Sequence, residues 1–398
     1  MKIGIYGGTF NPIHLGHMAA AKSAAEQLGL DKLYLIPDGL PPHKTLAEDT
    51  PAPEHRLEMT RLAADALELP KGMTEVCDWE VRREGKSYTV ETLQAFRERY
   101  PEDELWLLMG SDMFLTIQSW HRSRELLSLC RICAFGRSEG DAERLTAQRD
   151  YLNRVYGART AVLTLPQVVE VSSTEIRRRL AAGQGGQGLL PAVYGYILRE
   201  RLYGTHADLK HLPLFLLRPV ALSYLKHKRV AHVLGTEETA AHLARRYGAD
   251  EEEARRAALL HDCTKRLTME EQLALCRKYH IELDEYERRE LKLLHAKTGA
   301  ALARDVFGVS DAVYSAIYWH TTGKADMSLL EKIIYLADYI EPSRHFCDLR
   351  ELRRLADENL DQALLLGFTM AVEDLRRQGT VVHPNSVCAR DYLKGRFP

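Results

Sequence analysis

Residues 2–17, KIGIYGGTFNPIHLGH, constrain the first half of the chain more than any other stretch. KIGIY is a short apolar run of the kind that forms a buried strand. MAAAKSAAEQLG, which follows, has the alanine and leucine content of a helix that stops near Gly29. Between them, Gly7 and Gly8 let the backbone turn sharply and approach a ligand closely. Pro12 ends regular structure just before the helix. His14 and His17 lie three apart on the first helical turn and face the same way. The N–H groups and positive dipole end of that helix attract anions, so the stretch reads as a phosphate-handling site without a carboxylate. A glycine pair alone would be an ordinary strand-to-helix turn; the paired histidines at the helix start favour the anion site.

The alternation continues. KLYLIP, TEVCDWEV, ELWLLMG and RICAFG read as strands, interleaved with the helical runs EHRLEMTRLAADAL, TVETLQAFRERY and RSRELLSLC. That order predicts an α/β fold, a doubly wound parallel sheet with ligands gathered at the carboxyl ends of its strands. His43 and Lys44 follow the second strand, and Ser111 and Asp112 follow LWLLMG. AAGQGGQGLL (181–190) is glycine-rich but follows a helix and lacks a GK[ST] ending, so it reads as a connector.

Residues 205–215 carry no periodic signal and read as a linker. Beyond them the pattern stays helical and predicts an all-α domain of about six or seven helices around its own core. Its apolar helices contain His232, His261, Asp262, His295, His320 and Asp338. Charge in an apolar helix is costly unless paired or bound to a metal. A single such histidine is more simply a hydrogen-bonded core residue. Four of them with two aspartates suit divalent metals.

A length of 398 residues makes two domains the natural expectation. The net charge of −2 argues against general attraction to nucleic acid or membrane surfaces. No apolar run approaches the ~20 residues of a membrane span, and KIGIYGGTF is not a signal peptide. The expected location is the cytoplasm, where seven scattered cysteines stay as thiols. Cys130 and Cys133 form a lone CxxC within LCRICAF and read as small buried side chains.

GGTFNPIHLGH resembles the signature of the nucleotidylyltransferase superfamily, with HLGH as its HxGH element. GGTFNPIH is most similar to bacterial nicotinate-nucleotide adenylyltransferases. PPHK (41–44), SYTVETL (87–93), GSDMF (110–114) and VSSTEIRRRL (171–180) resemble further elements of that family in its order, and LLPAVYGYILRERLYG (189–204) its closing helix. The resemblance implies a Rossmann-like domain over residues 1–204 that condenses ATP with nicotinate mononucleotide, giving deamido-NAD and pyrophosphate, with Mg²⁺ arriving on ATP. It implies substrate contacts from Gly7, Gly8, Thr9 and Phe10. His14 and His17 would steady the transition-state oxygens, and Lys44 and Arg177 would hold phosphates. Thr89 would hold the nicotinate group or mononucleotide phosphate, Gly110 and Asp112 the ribose, and Trp120 would stack on the pyridine ring. Ser173 and Thr174 would face the triphosphate. Pantetheine-phosphate adenylyltransferase is the rival within the superfamily; SYTVETL and Trp120 favour the nicotinate enzyme. The choice between nicotinate and nicotinamide mononucleotide stays open.

The order H…HD…H…H…D resembles the HD phosphohydrolase superfamily. KRVAHVLGTEETAAHLA, LLHDCTK, YWHTTG, YLADYIEP and VVHPNSVCARDYL are most similar to bacterial symmetrical diadenosine tetraphosphate hydrolases. The resemblance implies an HD-type helical domain over residues 216–398 that cleaves diadenosine tetraphosphate to two ADP. His232, His261, Asp262 and Asp338 would hold one metal, and Asp262 would bridge to a second held by His295 and His320. A metal-activated water would attack, and Lys265 would neutralise the phosphate. Iron is the implied metal, and manganese suits the same ligands. Another nucleotide phosphohydrolase, or a nucleotide-sensing regulatory module, is the alternative. Assembly into homo-oligomers stays open.

Overall fold

The computed structural model describes residues 1–42, 46–136, 141–165, 171–345 and 348–397, and Lys44 with His43 lies outside them. The chain forms two compact units, Met1–His206 and Ala207–Pro398.

The first unit contains a six-stranded sheet. Its strands are β1 (Lys2–Gly8), β2 (Lys32–Pro37), β3 (Thr74–Val76), β4 (Glu104–Gly110), β5 (Arg131–Gly136) and β6 (Thr160–Thr164), in the spatial order β3-β2-β1-β4-β5-β6. Every pairing is parallel. The strand order reverses at β1, so the loop after β1 opens into the crevice where such sheets bind ligands. Helices cover both faces, which is why β1, β2 and β4 are near-continuous apolar runs instead of alternating ones. On one face the alanines of α1 (Leu15–Leu28) pack with Ile176, Leu180 and Ile197. On the other, Val90, Leu93 and Phe96 of α2 (Thr89–Arg99) meet Ile3, Ile5 and Leu107.

TEVCDWEV is a strand only over Thr74–Val76. The edge strand pairs with β2 for three residues, after which Trp79–Arg82 forms a short helix and turns the Glu80 side chain inward. A helix over Asp141–Tyr156 and strand β6 complete the far edge. Neither stands out in the sequence, because the helix buries only Leu145 and Leu152 and the strand is half-exposed. Cys130 and Cys133 are buried, and burial pushes both thiols up to about 12.

The second unit holds ten helices among the described residues, against the six or seven expected. The long run VALSYLKHKRVAHVLG is not continuous. Ser223 closes the helix Leu214–Leu222 through its N–H and Oγ, and a new helix opens at Val230. Residues 205–215 are also partly structured, with a 3₁₀ turn at Leu209–His211 and the start of the helix Leu214–Leu222. No helix among the described residues is long and apolar enough to cross a membrane.

Two candidate active sites

In the first unit, α1 starts one residue later than its pattern suggests, at Leu15. His14 is its N-cap and His17 its third residue, and the two cap each other reciprocally. Gly16 N–H donates to His14 Nδ1 (3.2 Å), and His14 N–H donates to His17 Nδ1 (3.3 Å). An Nδ1 that accepts carries no proton, so the neutral ring holds its proton on Nε2. The two imidazoles lie side by side at the helix N-terminus, with centroids 3.8 Å apart and planes tilted by 31°.

The second signature folds back onto this loop. Ser173, at the start of the helix Ser173–Ala181, donates to the Pro12 carbonyl (3.0 Å), and Arg177 Nη1 donates to the Asn11 carbonyl (2.8 Å). Ser172 caps that helix by accepting from Glu175 N–H, while Thr174 lies 3.5 Å from Arg177 Nη2. Elements more than 150 residues apart are therefore joined at Asn11–Pro12. Tyr203 OH donates to Asn11 Oδ1 (2.8 Å) and fixes the same loop from the unit's last segment.

Arg56 escaped the sequence reading. It is fully buried, with Nη1 donating to the Thr9 carbonyl and Asp38 Oδ1 and Nη2 donating to the Gly39 carbonyl. Thr9 Oγ1 donates to Asp38 Oδ2 (2.8 Å), so one guanidinium ties the loop after β1 to the loop after β2. Gly7 is exposed at the end of β1, Gly8 is half-buried, and Phe10 is buried with its ring edge-on to His17. Thr89 is half-buried at the start of α2. Gly110 ends β4, and Asp112 beyond it is exposed. Trp120 is partly buried and packs against the core of the α2 face. An open cleft of about 380 Å³ adjoins the β2 loop, lined by Gly39, Leu40, Thr50, Pro51, Arg56 and Arg83. Among the described residues, none of those singled out from the sequence lines it.

In the second unit, the helices Val230–Tyr247, Glu251–Leu260, Leu291–Phe307, Asp311–Trp319 and Leu329–Ile340 bring all six singled-out residues together. They form three overlapping groups: His232, His261 and Asp262; His261, His320 and Asp338; and Asp262, His295 and His320. Within each group the ligand atoms lie within 4.8 Å of one another. The ring nitrogens explain why. His261, His295 and His320 each direct Nδ1 at the carbonyl three residues earlier (Ala258, Lys292 and Ile317), all at 2.6 Å. A carbonyl only accepts, so Nδ1 carries the proton and Nε2 a lone pair. His232 does the same with Glu341 Oε1, at 3.0 Å.

Those Nε2 atoms converge, His232 on His261 at 3.3 Å and His295 on His320 at 3.1 Å. Two lone pairs cannot hydrogen-bond each other; a shared cation would satisfy both. Asp262 Oδ1 is likewise buried without a hydrogen-bond donor, 3.3 Å from His295 Nε2. Burial holds His261 and His295 below the ordinary imidazole range, and His320 well below it. Burial works against the charges of Asp262 and Asp338, but the neighbouring histidines outweigh it and keep both carboxyls well below their usual range. Neutral imidazoles and ionised carboxylates are the protonation states that metal ligation requires. The donor set of nitrogen and carboxylate oxygen fits a divalent transition metal.

Residues that the pattern alone did not single out complete this centre. Glu341 is fully buried and sets the His232 ring. Gly235, one turn after His232, makes room for it, since a Cβ there would lie 2.6 Å from Glu341 Oε2. Arg229 donates to Asp262 Oδ2, Arg344 to Asp338 Oδ1 (2.7 Å), and Lys265 to His295 Nε2 (2.8 Å).

Comparison with known proteins follows the same division. Residues 5–179 match the cytidylyltransferase-like family model. A probable nicotinate-nucleotide adenylyltransferase from Shewanella sp. (strain ANA-3) is 40% identical over 218 residues, which span 51% of this chain and 99% of the relative. The N-terminal half of the chain belongs to the nicotinate-nucleotide adenylyltransferase family. Another adenylyltransferase relative, from Carboxydothermus hydrogenoformans, is 37% identical over 203 residues, 51% of this chain and 98% of its own length. Residues 229–343 match the HD domain model, so an HD domain follows the adenylyltransferase-family unit. A solved structure from Clostridium acetobutylicum, described as a predicted HD superfamily hydrolase involved in NAD metabolism, is 42% identical. It covers 46% of this chain and 98% of its own, with a TM-score of 0.45.

Proposed function

We propose that the chain carries two enzymes. The first joins ATP and nicotinate mononucleotide into deamido-NAD and pyrophosphate. The second cleaves diadenosine tetraphosphate symmetrically into two ADP.

The first reading rests on the full-length match to adenylyltransferase relatives and on the docking of Ser173 and Arg177 against the His14–His17 loop. A mononucleotide phosphate oxygen attacks the α-phosphorus of ATP, the bond from that phosphorus to the bridging oxygen breaks, and pyrophosphate leaves. No protein nucleophile is required. The chain's part is positioning and charge stabilisation. The Nε2–H groups of His14 and His17 donate to the oxygens around the α-phosphorus, and Arg177 holds the departing phosphates, assisted by Lys44. Gly7, Gly8, Thr9 and Phe10 shape the approach. Asp112 accepts from a ribose hydroxyl, and Thr89 and Trp120 receive the nicotinate end. Mg²⁺ enters with ATP.

The second reading is carried by the convergence of four Nε2 lone pairs on Asp262 and Asp338. His232, His261, Asp262 and Asp338 would hold one divalent metal, and Asp262, His295 and His320 a second, with iron or manganese suited to the donors. Bound metals supply Lewis-acid activation of water and of phosphoryl oxygens. Water oxygen bonds to one inner phosphorus, and the central P–O–P bridge breaks. Lys265 then faces the charge that develops on the phosphate. The complete ligand set favours hydrolysis over nucleotide sensing, which needs no pair of metals.

Product analysis tests both readings on the intact chain. Deamido-NAD should appear with ATP and nicotinate mononucleotide, and not with phosphopantetheine as acceptor. Metal-loaded protein should release ADP alone from diadenosine tetraphosphate. Formation of AMP and ATP instead would replace the symmetrical assignment, and no turnover at all would sink the hydrolase.

A further inference from the structure

Among the described residues, three cations beside the HD centre sit on atoms that a metal would need. Arg229, three residues before His232, donates to Asp262 Oδ2; Arg344, six residues after Asp338, donates to Asp338 Oδ1. Both lie toward the His232 end, since His232 Nε2 is 3.0 Å from Asp338 Oδ1 and 3.9 Å from Asp262 Oδ2. Lys265 occupies the other end, on His295 Nε2. The three carboxyl groups of the centre, Asp262, Asp338 and Glu341, thus face three cations.

Two divalent ions would add four positive charges to that balance, and the one at the His232 end would contest oxygens already held by guanidiniums. A centre so charged calls for an anion of about equal and opposite charge, as a chain of several phosphates provides. Arginine suits the role, because its planar fork matches phosphate oxygens, stays charged and is weakly hydrated. A further observation points the same way. Arg229 Nε is buried and has no hydrogen-bond partner, so this guanidinium has a donor to spare.

We propose that Arg229 and Arg344 are exchangeable counter-ions of the centre. They compete with divalent metal for the carboxylate oxygens of Asp262 and Asp338 and, where metal holds those oxygens, bind the phosphate chain of the substrate. The inference deepens the phosphohydrolase reading and rests on it. It predicts opposite signs for two affinities. Loss of either arginine tightens metal binding and weakens polyphosphate binding, whereas a scaffold role would weaken both.

The test uses the full chain, Mn²⁺ alone, and inorganic tripolyphosphate added to Mn²⁺-loaded protein, each followed by calorimetry. Arg229→Gln and Arg344→Gln, both checked for wild-type helicity by circular dichroism, should bind Mn²⁺ about fivefold more tightly. The same variants should bind tripolyphosphate about tenfold more weakly. Arg→Lys at either position should restore most of the tripolyphosphate affinity lost in the Gln variant, because the charge remains. Weaker Mn²⁺ binding in both Gln variants, or unchanged tripolyphosphate binding, overturns the inference. Inactivity toward diadenosine tetraphosphate would refute the substrate assignment and leave this comparison standing, since no nucleotide enters it.

Discussion

The two centres are both built on histidine, yet the backbone holds their rings in opposite tautomers. At His14 and His17 the Nδ1 atoms accept backbone N–H groups, which puts the ring proton on Nε2. At His261, His295 and His320 the Nδ1 atoms donate to carbonyls, which leaves Nε2 lone pairs for a cation. The difference comes from the backbone. A helix N-terminus has spare N–H groups, and the His14–His17 pair sits on one. Histidines within or at the end of a helix instead meet carbonyls, as His261 and His320 do at the C-caps of theirs. Position on a helix therefore decides which ring nitrogen carries the proton.

The largest test of this contrast is a pair of reciprocal losses. Asp262→Asn should lower diadenosine tetraphosphate hydrolysis by about 10³-fold or more while deamido-NAD formation stays within twofold. His17→Ala should lower adenylyl transfer by about 10²–10³-fold and spare hydrolysis. Loss of both activities from either change, in a rate assay of both reactions, would break the separation.

Next in size is an effect of pH. Burial raises the Glu80 carboxyl to about 7, although Thr92 donates to it. The unfolded chain ionises this group near its ordinary value and the folded chain does not, so its contribution is full below that value and is lost as pH rises through about 7. Glu80→Gln should therefore stabilise the first unit at pH 8 by up to about 3 kcal/mol, and by almost nothing near pH 4.5, in urea unfolding. The histidines of the second unit run the other way. Held below the imidazole range, they contribute stability above that range that is lost as pH falls.

Chelation should act on one unit only. Metal at a hundredfold excess over its dissociation constant stabilises by about 2.7 kcal/mol, so removing it should lower the melting temperature of the second unit and leave the first unmoved. The smallest expected change is in the stability of His14→Asn. Asparagine keeps the cap acceptor, so stability should shift by only a few tenths of a kcal/mol, while the lost Nε2–H costs adenylyl transfer about 10²-fold. A large fall in stability would mean that the ring packs more than it donates.

Much of this architecture was legible in the sequence, for reasons that also explain what was not. A histidine inside an apolar helical run is rare enough to notice, so all six members of the second cluster stood out. Arg229, Arg344 and Glu341 did not, because a charged residue near a helix end is ordinary. Their pairing partners also lie up to 109 residues away. Arg56 and Arg61 look alike in EHRLEMTRLA, yet one is fully buried and the other's side chain is 49% exposed. Only the loops after β1 and β2 tell them apart. The glycine turn and parallel sheet were readable from period and punctuation. Strand β6 was not, since an edge strand half-open to solvent carries too little apolar signal.

Gly235 carries a consequence for engineering this chain. By helix propensity alone, alanine there would favour the helix by about 1 kcal/mol, and a survey for stabilising substitutions would choose it early. The added methyl group would displace Glu341 from the proton on His232 Nδ1 and free that ring to turn its other nitrogen inward. A hardier protein would then hold its metal less well, a trade visible only from across the helix.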